Sequence, residues 1–540
     1  MDIAEEIHDI VVAGSGCTGA MAAQTILEKG ARVLMIDTGF GHSDNIPTGP
    51  KENFLQIRRE DSAQYKYWLG KNFESVSIKK ERGKSLVTPA RRYITEHTEK
   101  YLPVISDTFN SIESLSLGGL GGTWGLGCYT YSDKELKEAG LSPNMKEAYQ
   151  KIADRIGISA EDDDGLPYTL GNLRNIQKPV NIDSNAESIY QKYKIKKKYL
   201  NDKGFYLGKP SLALLTAKMD DRNSVSYDEM DYYSNAGLSA YRPEITIEKL
   251  KDHPGFSYRP NILLISYAEE EGKTIVSYFN TATGERKSFK CKKLILCTGT
   301  LSTARIVLRS MGGQREVKLP LLSDPFKYFG MLQPSMLGVH LNEPRTALAQ
   351  LMLFHDPEHT NLNVSAASIY SYRSMMQFRA IKELPVNFKD GRILLQYFLP
   401  AVSVMGVHHP DSSSSIKYVE LVSSPDSVTR DALKIVYDLS SAELSKIRKR
   451  ERKFAAAMRK LGCYTLKKAN PGYGTNAHYA GCLPFSAYKR DFHLHPSGRI
   501  YGTSNVFVAD GSGFRYLPAK GITLSLMANA HLVALHSLQD

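Results

Sequence analysis

A short apolar run, Asp9 to Val12, leads into Gly14-Ser15-Gly16-Cys17-Thr18-Gly19, then a helix-forming stretch AMAAQTILEKG and a second apolar run ARVLMID ending at Asp37. No other part of the chain limits its fold as tightly. Gly14 permits a tight turn, Gly16 lets backbone approach a pyrophosphate, and Gly19 lets helix and strand pack closely. The helix N-terminus then faces the phosphate, with Ser15, Cys17 and Thr18 in the same turn. Asp37 follows Gly14 by 23 residues, where a carboxylate can accept hydrogen bonds from ribose hydroxyls. Strand, glycine turn, helix, strand and acid in this order predict an α/β, doubly wound sheet that binds a dinucleotide. The unit alone does not separate FAD from NAD.

The chain has 540 residues and is 42% hydrophobic, enough for a large core and at least two domains. Lys and Arg exceed Asp and Glu by 12, so the surface attracts anions. That balance is compatible with a phosphate-bearing or nucleotide-linked substrate and with peripheral membrane contact. The most basic run, KIRKRERKFAAAMRK, follows a capping box at Ser440 and Glu443 and reads as a solvated helix face, so no nucleic-acid partner is expected. The six cysteines lack the pairing or spacing of a zinc site or a disulfide scaffold. The chain opens with acidic residues before its first strand, with no cleavable leader pattern, and no apolar run reaches membrane-spanning length. A reduced, cytoplasmic protein without a transmembrane segment is the expectation.

Residues 114–128, SLSLGGLGGTWGLGC, carry too many glycines for the interior of a helix or strand. Trp124 and the flanking leucines are costly to leave in water, so Gly118, Gly119, Gly121, Gly122, Thr123 and Trp124 are read as a loop lying on a cofactor. Between Asn261 and Thr300, three alternating runs predict an antiparallel meander whose last strand, LILCTG, returns to the main sheet. Thr298 and Gly299 then lie beside the cofactor, ahead of a helix starting near Thr300. From about 330 to 440, the segments ALAQLMLFHD, RILLQYFLPAVSVMGVHH, IKYVELVSS and ALKIVYDL read as strands of a second, antiparallel sheet. The 132–225 stretch, with its basic run KYKIKKKYL, reads as a cap on the substrate side.

The C-terminal part adds three segments: His478-Tyr-Ala-Gly481, then NVFVADGSGF from Asn505, then LPAKGITLSLMANAH ending at His531. With GGLGGTWG, LILCTGTLSTARIVL and the N-terminal unit, they make the chain resemble the glucose-methanol-choline (GMC) oxidoreductases. The N- and C-terminal segments carry most of that resemblance, and GGLGGTWG and PAKGITLSLMANAH are similar to bacterial polysaccharide-pathway members. It implies an FAD-binding Rossmann-like domain, formed by 1–131, 226–315 and 465–540, joined to an α+β substrate domain over 316–464, with 132–225 as the cap. It also implies oxidation of a sugar or alcohol CH–OH group by hydride transfer to flavin N5, with an unspecified electron acceptor. His478 matches the family's active-site histidine, the general base. Neutral imidazole suits that task because its pKa lies near working pH. Asp510 and Gly511 match the segment that contacts the flavin. The helix opening at Gly521, Ile522 and Thr523 would aim its positive dipole end at the flavin.

One departure matters. Many family members place a second His or Asn where this chain has Gly521, leaving His478 alone or partnered by Lys520, Tyr473 or Tyr479. That gap keeps two other functions open: a redox-neutral flavoenzyme resembling a sugar mutase, and a non-catalytic flavin-binding subunit. The His408-His409 and His493/His495 groups read as loop residues. No nearby acid or cysteine completes a metal set, so no metal is expected.

Overall fold

A computed structural model describes residues 7–41, 54–72, 74–76, 88–227, 237–313, 316–340, 343, 346–371 and 386–539; the acidic N-terminal hexad lies outside them. His8–Ala13 runs parallel to Val33–Ile36 on one side and to the end of Arg286–Leu296 on the other. Phe256–Arg259 extends the first edge and Val506–Val508 the second, both in parallel register. Val33–Ile36, Val506–Val508 and the last three residues of Arg286–Leu296 are apolar and buried throughout because both faces are covered, whereas the edge strand Phe256–Arg259 is partly exposed. Ile10, Val12, Val33, Met35 and Phe507 face the helices Cys17–Glu28 and Thr523–Gln539, whose Ala20, Ala23, Ala530 and Ala534 allow close approach. The alternating residues Val11, Ala13, Leu34, Ile36, Leu294 and Leu296 enter the main core instead. Gly19 shows how tight the first side is, since a Cβ there would stand 1.8 Å from the Gly14 carbonyl oxygen.

Arg286–Leu296 serves two roles. Its first half pairs antiparallel with Lys273–Asn280, which pairs with Ile262–Glu270, and its last residues lie in the parallel sheet. This is the meander anticipated between 261 and 300, and Thr300–Met311 is the helix after it.

A second, fully antiparallel sheet has the order Tyr464–Ala469, Phe326–Leu332, Val402–His408, Ser365–Tyr370, Leu351–His355, Phe205–Gly208. One face, including Phe329, Met331, Leu353, Ile369 and Met405, packs under the helices Ser184–Asn201 and Ser441–Lys460. The Ser440/Glu443 capping box is present at the start of the latter. The opposite face, through Tyr328, Met352, Ser368, Tyr370, Gly406 and His408, looks into a cavity.

Two sequence expectations are corrected here. The run 392–409 is not one strand: Phe388–Phe398 is helical, residues 399–401 form a short turn of helix, and only Val402–His408 is extended. Asn387 caps that helix by accepting from the Asp390 N–H at 3.0 Å, and Ile393, Leu394, Tyr397 and Phe398 recur at helical, not alternating, spacing. The strands Lys417–Ser423 and Asp431–Tyr437 do not join the six-stranded sheet. They form a hairpin in a separate four-stranded sheet with Leu319–Pro320 and Val104–Ile105. Their inward residues Val419, Leu433, Ile435 and Tyr437 pack into the main core, and tertiary burial rather than alternation decided their partners.

Candidate active site

The carboxyl ends of the parallel strands converge: Gly14 follows one, Asp37 the next, Cys297 and Thr298 the third, and Asp510 lies just beyond the last. Backbone bonds knit these ends together, Gly14 N–H to Ile36 O at 2.8 Å, Cys297 N–H to Ala13 O at 2.8 Å and Ala509 N–H to Leu296 O at 2.9 Å. Ligands of open α/β sheets bind at this edge. Here it opens on a cavity of about 560 Å³.

Of the residues singled out from sequence, Gly14, Ser15, Gly16, Cys17, Thr18, Asp37, Gly119, Gly121, Thr123, Trp124, Thr298, Gly299, His478, Asp510, Gly511, Gly521, Ile522 and Thr523 all line this cavity. Gly19, Gly118 and Gly122 do not; they hold its wall. Gly19 packs beneath Gly14, and Cβ atoms on Gly118 or Gly122 would meet the Glu244 carboxylate, on Gly122 also Ile94. The Gly118 N–H donates to Ser15 Oγ at 2.9 Å, and Ser15 in turn donates to Asp37. Burial pushes the Asp37 carboxyl up to about 7 against the Ser15 bond and the backbone N–H groups of Thr38, Ser15 and Gly39. The same desolvation pushes the Cys17 thiol up to about 12, so it is inert despite its place at a helix N-terminus.

These residues fit a dinucleotide. Helix Cys17–Glu28 has Gly16 as its N-cap, no side-chain cap bond and no acid in its first turn, leaving its N–H groups open to the cavity. Gly119 sits so close that a Cβ on it would lie 3.5 Å from Gly16 Cα. A ring or phosphate can therefore rest on bare backbone. Asp510 lines the cavity as well, and its carboxylate accepts from Thr303 Oγ1, from the Ser512 N–H at 2.9 Å and from Ser512 Oγ at 2.6 Å. It shapes the turn beside the cavity.

Across the cavity stands His478. Its Nδ1 lies 3.0 Å from Asp324 Oδ1, and His408 Nδ1 lies 2.7 Å from Asp324 Oδ2. Asp324 itself is 1% exposed and sits behind the two rings. Asn476 holds it there, donating its side-chain amide to the Asp324 carbonyl at 2.8 Å and to Oδ1. His408 stacks on Phe326 with ring centroids 4.8 Å apart and planes 6° apart, and its centroid is 5.9 Å from that of His478. Ala477, just before His478, adopts a left-handed φ of 57°. That conformation costs a non-glycine residue about 1 kcal/mol and is kept where neighbours enforce it.

Burial alone would lower the His478 pKa, but the Asp324 charge and hydrogen bond outweigh it and raise the pKa above the usual imidazole value. Asp324 shows the converse. Burial would raise it, and the His478 and His408 charges hold it below the ordinary carboxylate range.

The residues offered as partners for His478 are otherwise engaged. Lys520 Nζ is buried against Glu135 at 2.8 Å, and Tyr479 OH accepts from the Ile112 N–H at 2.8 Å while donating to Gly474 O. Tyr473 does not line the cavity. His408, read as a loop residue, is the end of a strand. The acid that seemed absent near it is Asp324, 84 residues away in sequence. A search for acids close in sequence could not find it. Asp324, His408 and His478 each offer one ligand atom within 4.8 Å of the others. Both Nδ1 atoms, however, bond the carboxylate at hydrogen-bond distance, so those atoms carry protons and the group reads as a hydrogen-bonded unit.

This arrangement, the carboxyl edge of a parallel sheet facing an antiparallel sheet, has the architecture of the GMC oxidoreductase fold. A solved structure, pyridoxine 4-oxidase from Mesorbium loti, matches 99% of this chain and 99% of its own at a TM-score of 0.58 and 12% identity. No protein-family profile and no curated protein matches the sequence. The likeness is one of fold. Among the described residues no helix is long and apolar enough to cross a membrane.

Proposed function

We propose that the protein is an FAD-dependent oxidoreductase that oxidises the CH–OH group of a small alcohol or sugar, with His478 as the proton acceptor. One observation carries this reading: the His478 ring, anchored through Nδ1, lines the same cavity as the turn Gly14 to Thr18 and Asp37. Gly14, Gly16 and the first turn of Cys17–Glu28 would hold the pyrophosphate, Asp37 a ribose, and the 119–124 loop with Gly521–Thr523 the ring end. When bound, the flavin would supply the hydride acceptor at N5.

The protein's own part is proton handling. Asp324 accepts from His478 Nδ1–H and so leaves Nε2, on the other edge of the ring, as a bare lone pair toward the cavity. That atom can take the hydroxyl proton as the carbinol C–H bond gives up its electron pair. The basic surface suits a phosphate-bearing substrate, and the fold neighbour makes pyridoxine a natural member of any substrate panel.

The test is anaerobic mixing of the flavin-loaded protein with pyridoxine, simple alcohols, sugars and nucleotide sugars while the flavin absorbance is followed. One of them should bleach it, and His478→Ala should slow that bleaching by about 10²- to 10⁴-fold. Bleaching at the same rate in the variant would remove His478 from the chemistry. No bleaching by any donor would remove the oxidoreductase reading.

A further inference from the structure

Gly521 provides no side-chain donor at the start of the last helix, yet a hydroxyl losing its proton to one imidazole gains from a second group that holds its oxygen. The wall opposite supplies one. His408 lines the cavity with His478, is 19% exposed against 24% for His478, and is tied to the same buried carboxylate.

We propose that His408 is the second substrate-contacting residue of the site, and that His408 and His478, linked by Asp324, hold one proton between them and act on the substrate hydroxyl as a pair. This deepens the oxidoreductase reading and rests on it.

A carboxylate only accepts hydrogen bonds, so each histidine must carry its proton on the Nδ1 that faces Asp324. Both Nε2 edges are thereby turned from Asp324 toward the cavity. With one proton added to the pair, one Nε2 is an N–H donor and the other a lone pair, which are the two functions a substrate hydroxyl requires. The charge then balances, one imidazolium against the Asp324 carboxylate. On turnover the hydroxyl proton joins the pair, the carbinol carbon loses hydride to the bound flavin, and the C–O bond becomes a carbonyl.

The surroundings isolate this unit. Tyr131 and Tyr437, which feel Asp324, are pushed by burial well above the usual phenol value and stay neutral. His409 is held by burial at about 3 and is neutral as well. Lys327, next in chain to Phe326, bonds Glu451 at 2.9 Å. These neighbours do not exchange protons near neutrality, whereas Asp37, across the same cavity with its carboxyl raised to about 7, does.

A lone base predicts a rate that rises with pH to a plateau; a pair needing one proton predicts a bell. With the donor found in the substrate screen, kcat/KM should be bell-shaped. His408→Phe should slow flavin reduction about 100-fold. His408→Asn keeps an N–H donor that cannot titrate, so it should recover much of the rate and lose the alkaline limb. Asp324→Asn should move both limbs to lower pH. Independently of turnover, ¹⁵N NMR of histidine-labelled protein, assigned with the single variants, should show Nδ1–H tautomers for both neutral rings. Replacing either histidine should shift the other's titration.

An Nε2–H tautomer at His408, or a His408 titration indifferent to His478 and Asp324, overturns the pair. So does unchanged bleaching in His408→Phe while His478→Ala is slow, which leaves the oxidoreductase reading standing. If no donor bleaches the flavin but NMR shows the coupled Nδ1–H pair, the oxidoreductase reading fails and the pair remains.

Discussion

At the carboxyl edge of the parallel sheet the cavity is walled largely by backbone: Gly14 at a φ of 99°, Gly16 and Gly119 in near contact, and the uncapped first turn of Cys17–Glu28. On the antiparallel side it is walled by side chains, with His408 and His478 hung on Asp324 and Asn476. The first wall works by the absence of atoms and by fixed N–H dipoles, and it offers the same surface whatever the pH. The second works by charge held out of water, so its state depends on protons. A cofactor that stays bound suits the former, and a group that must gain and lose a proton suits the latter. Asp37 is the exception on the backbone side, a half-buried carboxyl that desolvation raises to about 7.

That contrast can be broken by substitution. Filling space in the backbone wall should have the largest effect. Gly19→Ala would place a Cβ 1.8 Å from the Gly14 carbonyl oxygen, an overlap no rotamer relieves. It should cost at least about 3 kcal/mol of stability and abolish flavin retention, as read by thermal melting and by the absorbance of purified protein. Normal melting and full flavin in the Gly19→Ala variant would mean that helix and turn do not pack this closely.

Asp37→Asn should act more gently and reveal itself through pH. With its carboxyl raised to about 7, the folded apoprotein keeps a proton there that the unfolded chain has released. Stability contributed by this group is therefore present below about 4, falls as pH rises through about 7, and is level above it. The variant should melt with a flatter pH dependence between these limits and hold flavin less tightly. Identical slopes in the two apoproteins would show that Asp37 ionises normally.

The smallest effect is a control outside both walls. Ser440 caps the helix on the far face of the antiparallel sheet, its Oγ accepting from the Glu443 N–H at 3.2 Å. Ser440→Ala should cost about 1 kcal/mol and leave flavin content and the pH profile of turnover unchanged. A changed profile would mean that the helix layer and the histidine wall are coupled through the sheet.

What could be read in advance follows the same division. The glycine turn, its helix, Asp37 and the three-strand meander are local: each needs only residues near in sequence, and periodicity or φ requirements expose them. His478 was legible through its neighbours in the AHYAG segment. The segment 392–398 misled because apolar residues fit either a strand or a helix until Asn387 and Pro400 are seen as its ends. Lys520 and Tyr479 looked available because nothing local shows that Glu135 and the Ile112 N–H already occupy them.

The sequence by itself determined a doubly wound sheet with a glycine turn at its carboxyl edge, because glycine spacing and apolar periodicity act over a few turns of chain and leave the backbone little choice. Only the tertiary structure decided which side chains share a charge. Asp324, His408 and His478 are brought within hydrogen-bond reach by the strand Phe326–Leu332 pairing with Val402–His408, and by the 474–481 loop closing over that edge. Electrostatic coupling depends on distance and burial, and neither is a property of spacing along the chain.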